Sequence, residues 1–481
     1  EDDNIIHSVQ VVSRHCPDVC LSDRLAWPPS STFIDMRTNL IILVSGLVSL
    51  GIYFLVPAEE NTLKGLAILT FVAILWFTEA LPLAVTALLV PILVVTAGVM
   101  DVKSALSHFA NPVIFLFLGG FALAAALHKH NIDEYIAGYI MNAAGTKPIY
   151  AILGLFGATS LLSMWISNTA TAAIMLPVAI GLISKLKTES PATDAFILLG
   201  VAYSANIAGV GTLIGSPPNA ITAANLDLDF RDWLVVGLPL VAILIPAMVG
   251  VLYFVLKPKL PRVEISQIAE IKGLVDRRSG FRVGLVFAIV VFLWLFSRPI
   301  SSWIGIDKEF DSLVAVLGIV LLVYFGTIEW KEISRFTDWG VLLLFGGGLV
   351  LSAMLSETGA SQFLADIVRN NLSGHGAFVL VLGSVMLAIL ITEFASNTAS
   401  AAIMVPIFLA LGQDAKNFPP EALALAVGIA SSMGFMLPVG TPPNALIYGT
   451  GLVEQKTMIK AGLVLNIVVG IVITVAAYFF F

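Results

Sequence analysis

Eleven stretches of this chain stay apolar for long enough to cross a bilayer, and no other feature constrains its fold as much. They lie near residues 39–56, 64–79, 81–99, 111–128, 197–225, 233–256, 281–297, 311–328, 338–356, 420–452 and 459–480. A hydrocarbon core about 30 Å thick is crossed by about 20 helical residues, so stretches of this kind are expected spans. Charged residues make up 12% of the chain and mean hydropathy is +0.96, whereas soluble domains carry about 25% charged residues. The apolar stretches are continuous and not alternating, which excludes an outer-membrane barrel and leaves an all-α polytopic membrane protein. A net charge of −7 gives no sign of nucleic-acid binding.

Two further apolar regions, 148–184 and 376–412, each carry a polar Ser-Asn-Thr triplet near the middle, from Ser167 and from Ser396. Such a region fits a helical hairpin whose tip stops inside the membrane, or two full spans joined by a tight turn. Loop charge separates the two. If both hairpins re-enter and the N-terminus is cytoplasmic, 18 of the 25 basic residues fall in cytoplasmic segments, as the positive-inside rule requires. The expectation is therefore about eleven transmembrane helices plus two re-entrant hairpins, with the N-terminus cytoplasmic and the C-terminus external. Residues 1–38 form a polar tail with no cleavable signal peptide in view. Its Cys16 and Cys20, in "HCPDVC", have one nearby histidine and no second cysteine pair, too few ligands for a metal clip.

The two halves of the chain repeat each other. "IFLFLGGFALAAAL" (114–127) returns as "LLLFGGGLVLSAML" (342–355), "DVKSALSHF" (101–109) faintly as "EWKEISRFT" (329–337), "SNTATAAIMLPV" as "SNTASAAIMVPI", and "GSPPNAI" (215–221) as "GTPPNAL" (440–446), all at offsets of 225–229. Five spans separate equivalent points, an odd number, so the repeats are expected to be inverted. Inverted repeats with interrupted helices are characteristic of secondary transporters.

The interruptions carry the chemistry. Ser, Asn and Thr are leading N-cap residues, and the Ala-rich run after each triplet is strongly helical. Each triplet is thus read as the end of one half-helix and the start of the next. In "GSPPNA" and "GTPPNA", Ser216 or Thr441 suits an N-cap and the following prolines cannot continue a helix from the preceding span. Four breaks would offer four helix N-termini, which favour anions. The same breaks expose carbonyls and hydroxyls, hard ligands for a small cation such as Na⁺. No Lys, Arg or His falls in 148–184, 195–226, 376–413 or 417–453. A bound dianion would find no cationic side chain there, and co-bound cations are the natural remedy, which favours cation–anion symport.

Glu393 is the one acidic residue deep in either hairpin. It could carry a proton or serve as a hydrogen-bond partner for unwound backbone, and Met164 stands at its equivalent position. Glu79 reads as a turn residue, Asn111 and Asn206 as partners of local backbone. The amphipathic stretches 130–145 and 358–372 read as connecting arms on the membrane surface. No nucleophile–base pair or metal cluster appears within the spans, so no enzyme is indicated.

The two SNT runs, together with "SSMGFMLPVGTPPNALIY" (431–448), resemble the divalent-anion/sodium symporter family over roughly residues 39–481. That family includes sodium-coupled dicarboxylate, citrate and sulfate carriers. The resemblance implies a homodimer in the plasma membrane, for a bacterial chain the inner membrane, in which a transport domain moves like an elevator against a scaffold. It implies scaffold helices at 39–147, a first transport half at 148–256, a cytoplasmic linker at 257–280, scaffold helices and an arm at 281–375, and a second transport half at 376–481. Carried over, one sodium site comprises Ser163, Ser167, Asn168 and Gly215, and the other Thr392, Ala395, Asn397 and Gly440. Substrate carboxylates would meet Asn168, Thr169, Ser216, Ser396, Asn397, Thr398, Thr441 and Pro442. The expected cargo is a C4-dicarboxylate such as succinate with co-transported Na⁺; a sodium-independent dicarboxylate exchanger, or a sodium-coupled citrate or sulfate carrier, is the alternative.

Overall fold

A computed structural model describes residues 36–143, 147–186, 190–260, 276–306, 309–372, 376–413 and 419–481. The Cys16–Cys20 segment and most of the 257–280 linker lie outside the described residues. Every regular element among the described residues is helical. In chain order they are α1 (Met36–Leu55), α2 (Glu60–Thr78), α3 (Leu83–Thr96), α4 (Val102–Ser107), α5 (Pro112–Lys129), α6 (Ile132–Ala143), α7 (Pro148–Ser163), α8 (Asn168–Leu186), α9 (Pro191–Ala208), α10 (Pro217–Leu226) and α11 (Phe230–Leu256). The second half contains α12 (Arg277–Leu295), α13 (Ser297–Ile304), α14 (Phe310–Tyr324), α15 (Trp330–Phe336), α16 (Trp339–Glu357), α17 (Ala360–Leu372), α18 (Ala377–Phe394), α19 (Asn397–Gln413), α20 (Pro420–Ala430), α21 (Pro442–Gly449) and α22 (Gln455–Phe480).

Each of the eleven expected stretches is helical, 197–225 and 420–452 as two helices with a break between them, and the two triplet regions form helix pairs, α7–α8 and α18–α19. Among the described residues, ten helices are long and apolar enough to cross a membrane. They include α8 and α18, so arm length alone does not distinguish a re-entrant hairpin from a full crossing. The structure adds three short helices that hydropathy does not mark. In α4 and α15 the start is fixed locally: Asp101 accepts from Ser104 N at 3.0 Å, and Glu329 and Glu332 form a capping box. The arms are helices α6 and α17, Glu79 closes α2 in a left-handed conformation (φ 48°), and Asn111 caps α5 by accepting from Val113 N at 3.0 Å.

Repetition extends to packing. α5 crosses α14 so closely that a Cβ on Gly119 would lie 2.5 Å from Ala315 Cβ; α16 crosses α3 so closely that a Cβ on Gly347 would lie 2.6 Å from Ala87 Cβ. Gly119 and Gly347, like Ala87 and Ala315, are 228 residues apart. Only small residues allow two membrane helices this close. A contact whose partners exchange between equivalent positions is what an internal two-fold relation produces. At the other extreme of burial, α9 is enclosed over 94% of its most apolar window, whereas α1 is 6% buried. The first hairpin and α21 pack against α9, whereas the second hairpin packs against α20.

Candidate functional site

Each hairpin turns on its triplet. The first arm stops at Ser163 and the second starts at Asn168, with Ser167 Oγ accepting from Ala170 N at 3.3 Å. Ser163 Oγ lies 2.7 Å from Asn168 Oδ1 and 2.7 Å from Ala205 O. In the second half, Thr392 Oγ1 lies 2.6 Å from Asn397 Oδ1 and 2.6 Å from Ser431 O. A hydroxyl has one proton and donates to one of its two oxygen neighbours. Each tip therefore crowds three oxygens around a single proton. Gly215 O adds a fourth oxygen, 3.2 Å from the inward atom of the Asn168 amide. Oxygens gathered in this way suit a hard cation. With its amide turned over, Asn168 donates to Ser163 Oγ, Ala205 O and Gly215 O, and the cluster is satisfied without one.

Behind each tip a span is unwound. After α9 the chain makes two short 3₁₀ turns before α10, and after α20 it runs extended to another before α21. Exposed carbonyls at that depth need partners. The asparagine of each PPNA motif supplies them: Asn219 Nδ2 donates to Gly209 O and Thr212 O, both at 2.8 Å, and Asn444 Nδ2 to Gly434 O at 3.1 Å and Leu437 O at 3.2 Å. Asn219→Ala leaves two buried carbonyls without a donor and is expected to destabilise the protein by about 2–4 kcal/mol. Asn444→Ala, with longer bonds, is expected to cost less; thermal unfolding in detergent measures both.

The broken spans meet across the repeat. Asn206, beside Ala205, donates to Thr441 Oγ1 at 2.9 Å and to Asn444 Oδ1 at 3.3 Å; Ser432, beside Ser431, has its Oγ 3.5 Å from Ser216 Oγ. One residue of each span thus touches its own hairpin tip, and the next touches the N-cap of the other half. Tyr203 adds a bond from its hydroxyl to Phe435 O at 2.6 Å. Asn206 is therefore not a partner of local backbone, as its neighbours in sequence suggest; its partners stand 235 and 238 residues away. Thr441 caps α21 by accepting from Asn444 N at 3.3 Å. Ser216 holds the N-cap position of α10 without a side-chain cap bond, because its hydroxyl faces Ser432.

Glu393 is fully buried and ties down the second unwound loop. Its Oε1 accepts from Phe435 N at 2.6 Å, Met436 N at 2.8 Å and Asn466 Nδ2 at 2.7 Å, and its Oε2 from Leu437 N at 3.0 Å. All four partners are N–H donors, so the acceptor-only carboxylate fits without a proton. Of the two roles the sequence leaves open, these contacts are those of a partner for unwound backbone. In the first half the loop is bonded to the hairpin through the Thr212 hydroxyl, which donates to Met164 O, and from outside the hairpin by Trp233 Nε1, which donates to Val210 O at 2.8 Å.

Ser163, Asn168 and Gly215 are brought together at the first tip, and Thr392 and Asn397 at the second. Ser167 is exposed and engaged as a cap. Ala395 is buried in the extended link between α18 and α19, and Gly440 sits against the Glu393 carboxylate, where a Cβ would lie 3.2 Å from Oε2. Ser216, Thr398 and Thr441 are buried, Asn168, Ser396 and Asn397 half-buried, Thr169 and Pro442 exposed. Sequence reasoning did not single out Asn219, Asn444, Thr212 or Ser432. The doubled asparagine of PPNA was the available signal for the first two.

The two halves differ in what covers their breaks. Trp165, at the first tip, packs edge-on against Phe287 of α12 with ring centroids 4.9 Å apart, and Ile214 lies against Gly120 of α5. Their counterparts Phe394 and Val439 are 63% and 72% exposed. These side chains are thus covered in the first half and exposed in the second.

The comparisons agree with this architecture. Residues 37–481 match the family model for the sodium:sulfate symporter transmembrane region. An uncharacterized transporter of Haemophilus influenzae is 45% identical over 452 residues, covering 92% of this chain and 97% of that protein. The sodium-dependent dicarboxylate transporter SdcS of Staphylococcus saprophyticus is 33% identical over 449 residues, covering 86% of this chain and 85% of its own. Among solved structures, the crystal structure of the Alcanivorax borkumensis YdaH transporter aligns with a TM-score of 0.53 at 15% identity, covering 78% of this chain and 86% of that one. That likeness speaks to the fold alone. A duplicated helical membrane fold with two oxygen-lined hairpin tips, matched over nearly its whole length, identifies this chain as a member of the sodium:sulfate symporter family, a membrane transporter and not an enzyme.

Proposed function

We propose that the protein is a secondary active transporter that couples uptake of a C4-dicarboxylate, succinate or a close analogue, to co-transported Na⁺. The observation that carries this reading is the pair of matching hairpin tips, where the Asn168 amide meets Ser163, Ala205 O and Gly215 O and the Asn397 amide meets Thr392 beside Ser431 O. Each sits beside a helix N-terminus in a region whose sequence offers no Lys, Arg or His. In this reading Na⁺ joins the oxygens at each tip, with Ala395 and Gly440 contributing backbone and Ser167 a further oxygen. The substrate carboxylates lie between the tips, against Asn168, Thr169, Ser216, Ser396, Asn397, Thr398, Thr441 and Pro442. Aligned helix dipoles, each worth about half a unit charge at its N-terminus, and the two cations together offset the dianion. The name of the Staphylococcus relative, a sodium-dependent dicarboxylate transporter, supports the same cargo.

That difference in exposure between the halves supports alternating access of elevator type. The halves at 148–256 and 376–481, α7–α11 and α18–α22, would form the moving unit, and α1–α6 with α12–α17 the scaffold. The repeats would be inverted, the carrier a homodimer of the bacterial inner membrane, with N-terminus cytoplasmic and C-terminus external. In proteoliposomes, an inward Na⁺ gradient is expected to drive accumulation of labelled succinate. Uptake indifferent to that gradient would sink the reading in favour of sodium-independent exchange. Competition by malate, fumarate, citrate and sulfate then orders the substrates, and the reading requires the C4-dicarboxylates to compete best.

A further inference from the structure

The start of α11 is fastened by charge to elements beyond the 257–280 linker. Arg298, in the short α13, donates from Nε to Asp229 Oδ2 at 3.1 Å and from Nη2 to Asp232 Oδ1. The same two aspartates form the capping box of α11. Between them in sequence, Phe230 N donates to Asp311 Oδ2 at 2.7 Å, and the Phe230 ring stacks on Trp294 with centroids 4.4 Å apart. Trp294 Nε1 closes the group by donating to Asp311 O at 2.9 Å. A cavity of about 290 Å³ separates these residues from the first turn of α5.

The second half has no such fastening. At the offset of 225, Glu454 stands for Asp229, Gln455 for Phe230 and Thr457 for Asp232. Among the described residues no Lys or Arg forms an ion pair with Glu454. The fastening is therefore present at one end of the duplicated fold and missing at the other. It coincides with the second asymmetry, the covered Trp165 and Ile214 against the exposed Phe394 and Val439.

We infer that Arg298, Asp229 and Asp232 form a conformational latch, which holds the carrier in the state with the second-half breaks open and releases when the site turns to the other side. The inference rests on the alternating-access reading, in which α11 travels and α13 and α14 do not. The side chains are 58%, 30% and 28% exposed for Arg298, Asp229 and Asp232. Pairs this exposed are weakened by salt, so the latch biases an equilibrium and does not lock it. The forked guanidinium engages both carboxylates at once, whereas a lysine at the same place is a point charge that favours one.

The test uses the full chain in proteoliposomes, with Cys16 and Cys20 replaced by serine and Val439→Cys as reporter. Labelling by a water-soluble thiol reagent is expected to slow about 3-fold on adding Arg298→Gln, and Arg298→Lys is expected to restore at least half of the lost rate. Raising ionic strength with choline chloride should slow labelling in the parent but not in Arg298→Gln, a response that a merely structural arginine would not give. An unchanged rate in correctly inserted Arg298→Gln overturns the latch. Should that variant fail to insert, the salt series on the parent decides: a rate indifferent to choline chloride overturns it equally. Sodium-driven succinate uptake by the parent is measured separately, and its absence counts against the carrier reading and not against the labelling result.

Discussion

Asn168→Ala and Asn397→Ala should each lower sodium-driven uptake by on the order of 100-fold, the loss typical of removing a group that orients or completes a metal site. Each asparagine opens the second arm of its hairpin and places its amide against a hydroxyl that already has another acceptor. Removing it from the first tip leaves Ser163 Oγ with Ala205 O at 2.7 Å; removing it from the second leaves Thr392 Oγ1 with Ser431 O at 2.6 Å. No donor is orphaned at the second tip, so the fold is expected to lose less than about 1 kcal/mol there. Uptake and thermal unfolding measured side by side separate the two effects. Full uptake in either variant contradicts the assignment of that tip to a cation.

Glu393 gives the opposite signature. Glu393→Ala leaves Phe435 N, Met436 N, Leu437 N and Asn466 Nδ2 without their acceptor. An unmet buried donor costs about 1–3 kcal/mol, less where water reaches it, as it can at the half-buried Met436 and Leu437. The sum is several kcal/mol, enough to unfold the second broken span or to remove the protein from the membrane. Glu393→Gln keeps one acceptor oxygen and turns an NH₂ towards N–H groups, so it should remain destabilised and lose transport together. A proton carrier at this position would behave differently. The neutral glutamine would preserve stability and erase the pH dependence of uptake, and that result would contradict the structural role.

Much of the fold was legible because the bilayer imposes a strong one-dimensional rule. A span must be apolar for its whole length, and a polar triplet or a Pro-Pro within it must mark a break. The duplicated motifs therefore placed the hairpin tips and both unwound points, and N-cap chemistry anticipated where α8, α10, α19 and α21 begin. What the sequence hid depends on partners far apart in the chain. The bonds from Asn206 to Thr441 and Asn444 have no local periodicity to betray them. Arg298 and its two aspartates lie 66 and 69 residues apart, in loops that read as ordinary solvated charge. The staples Asn219 and Asn444 were within reach, since an asparagine held twice in the same motif needs a use, but which carbonyls each holds depends on how the chain unwinds.

The paired glycine–alanine crossings have a mechanical consequence. Where α5 meets α14 and α16 meets α3, backbone lies almost against backbone, with no long side chains between them to change rotamer. Interfaces that switch do so by exchanging one close-packed arrangement for another. These two crossings offer no second arrangement of similar quality, since any slip drives a Cβ into main chain. They behave as rigid welds, and any travel in this molecule has to be sought between the welded helices and the hairpins.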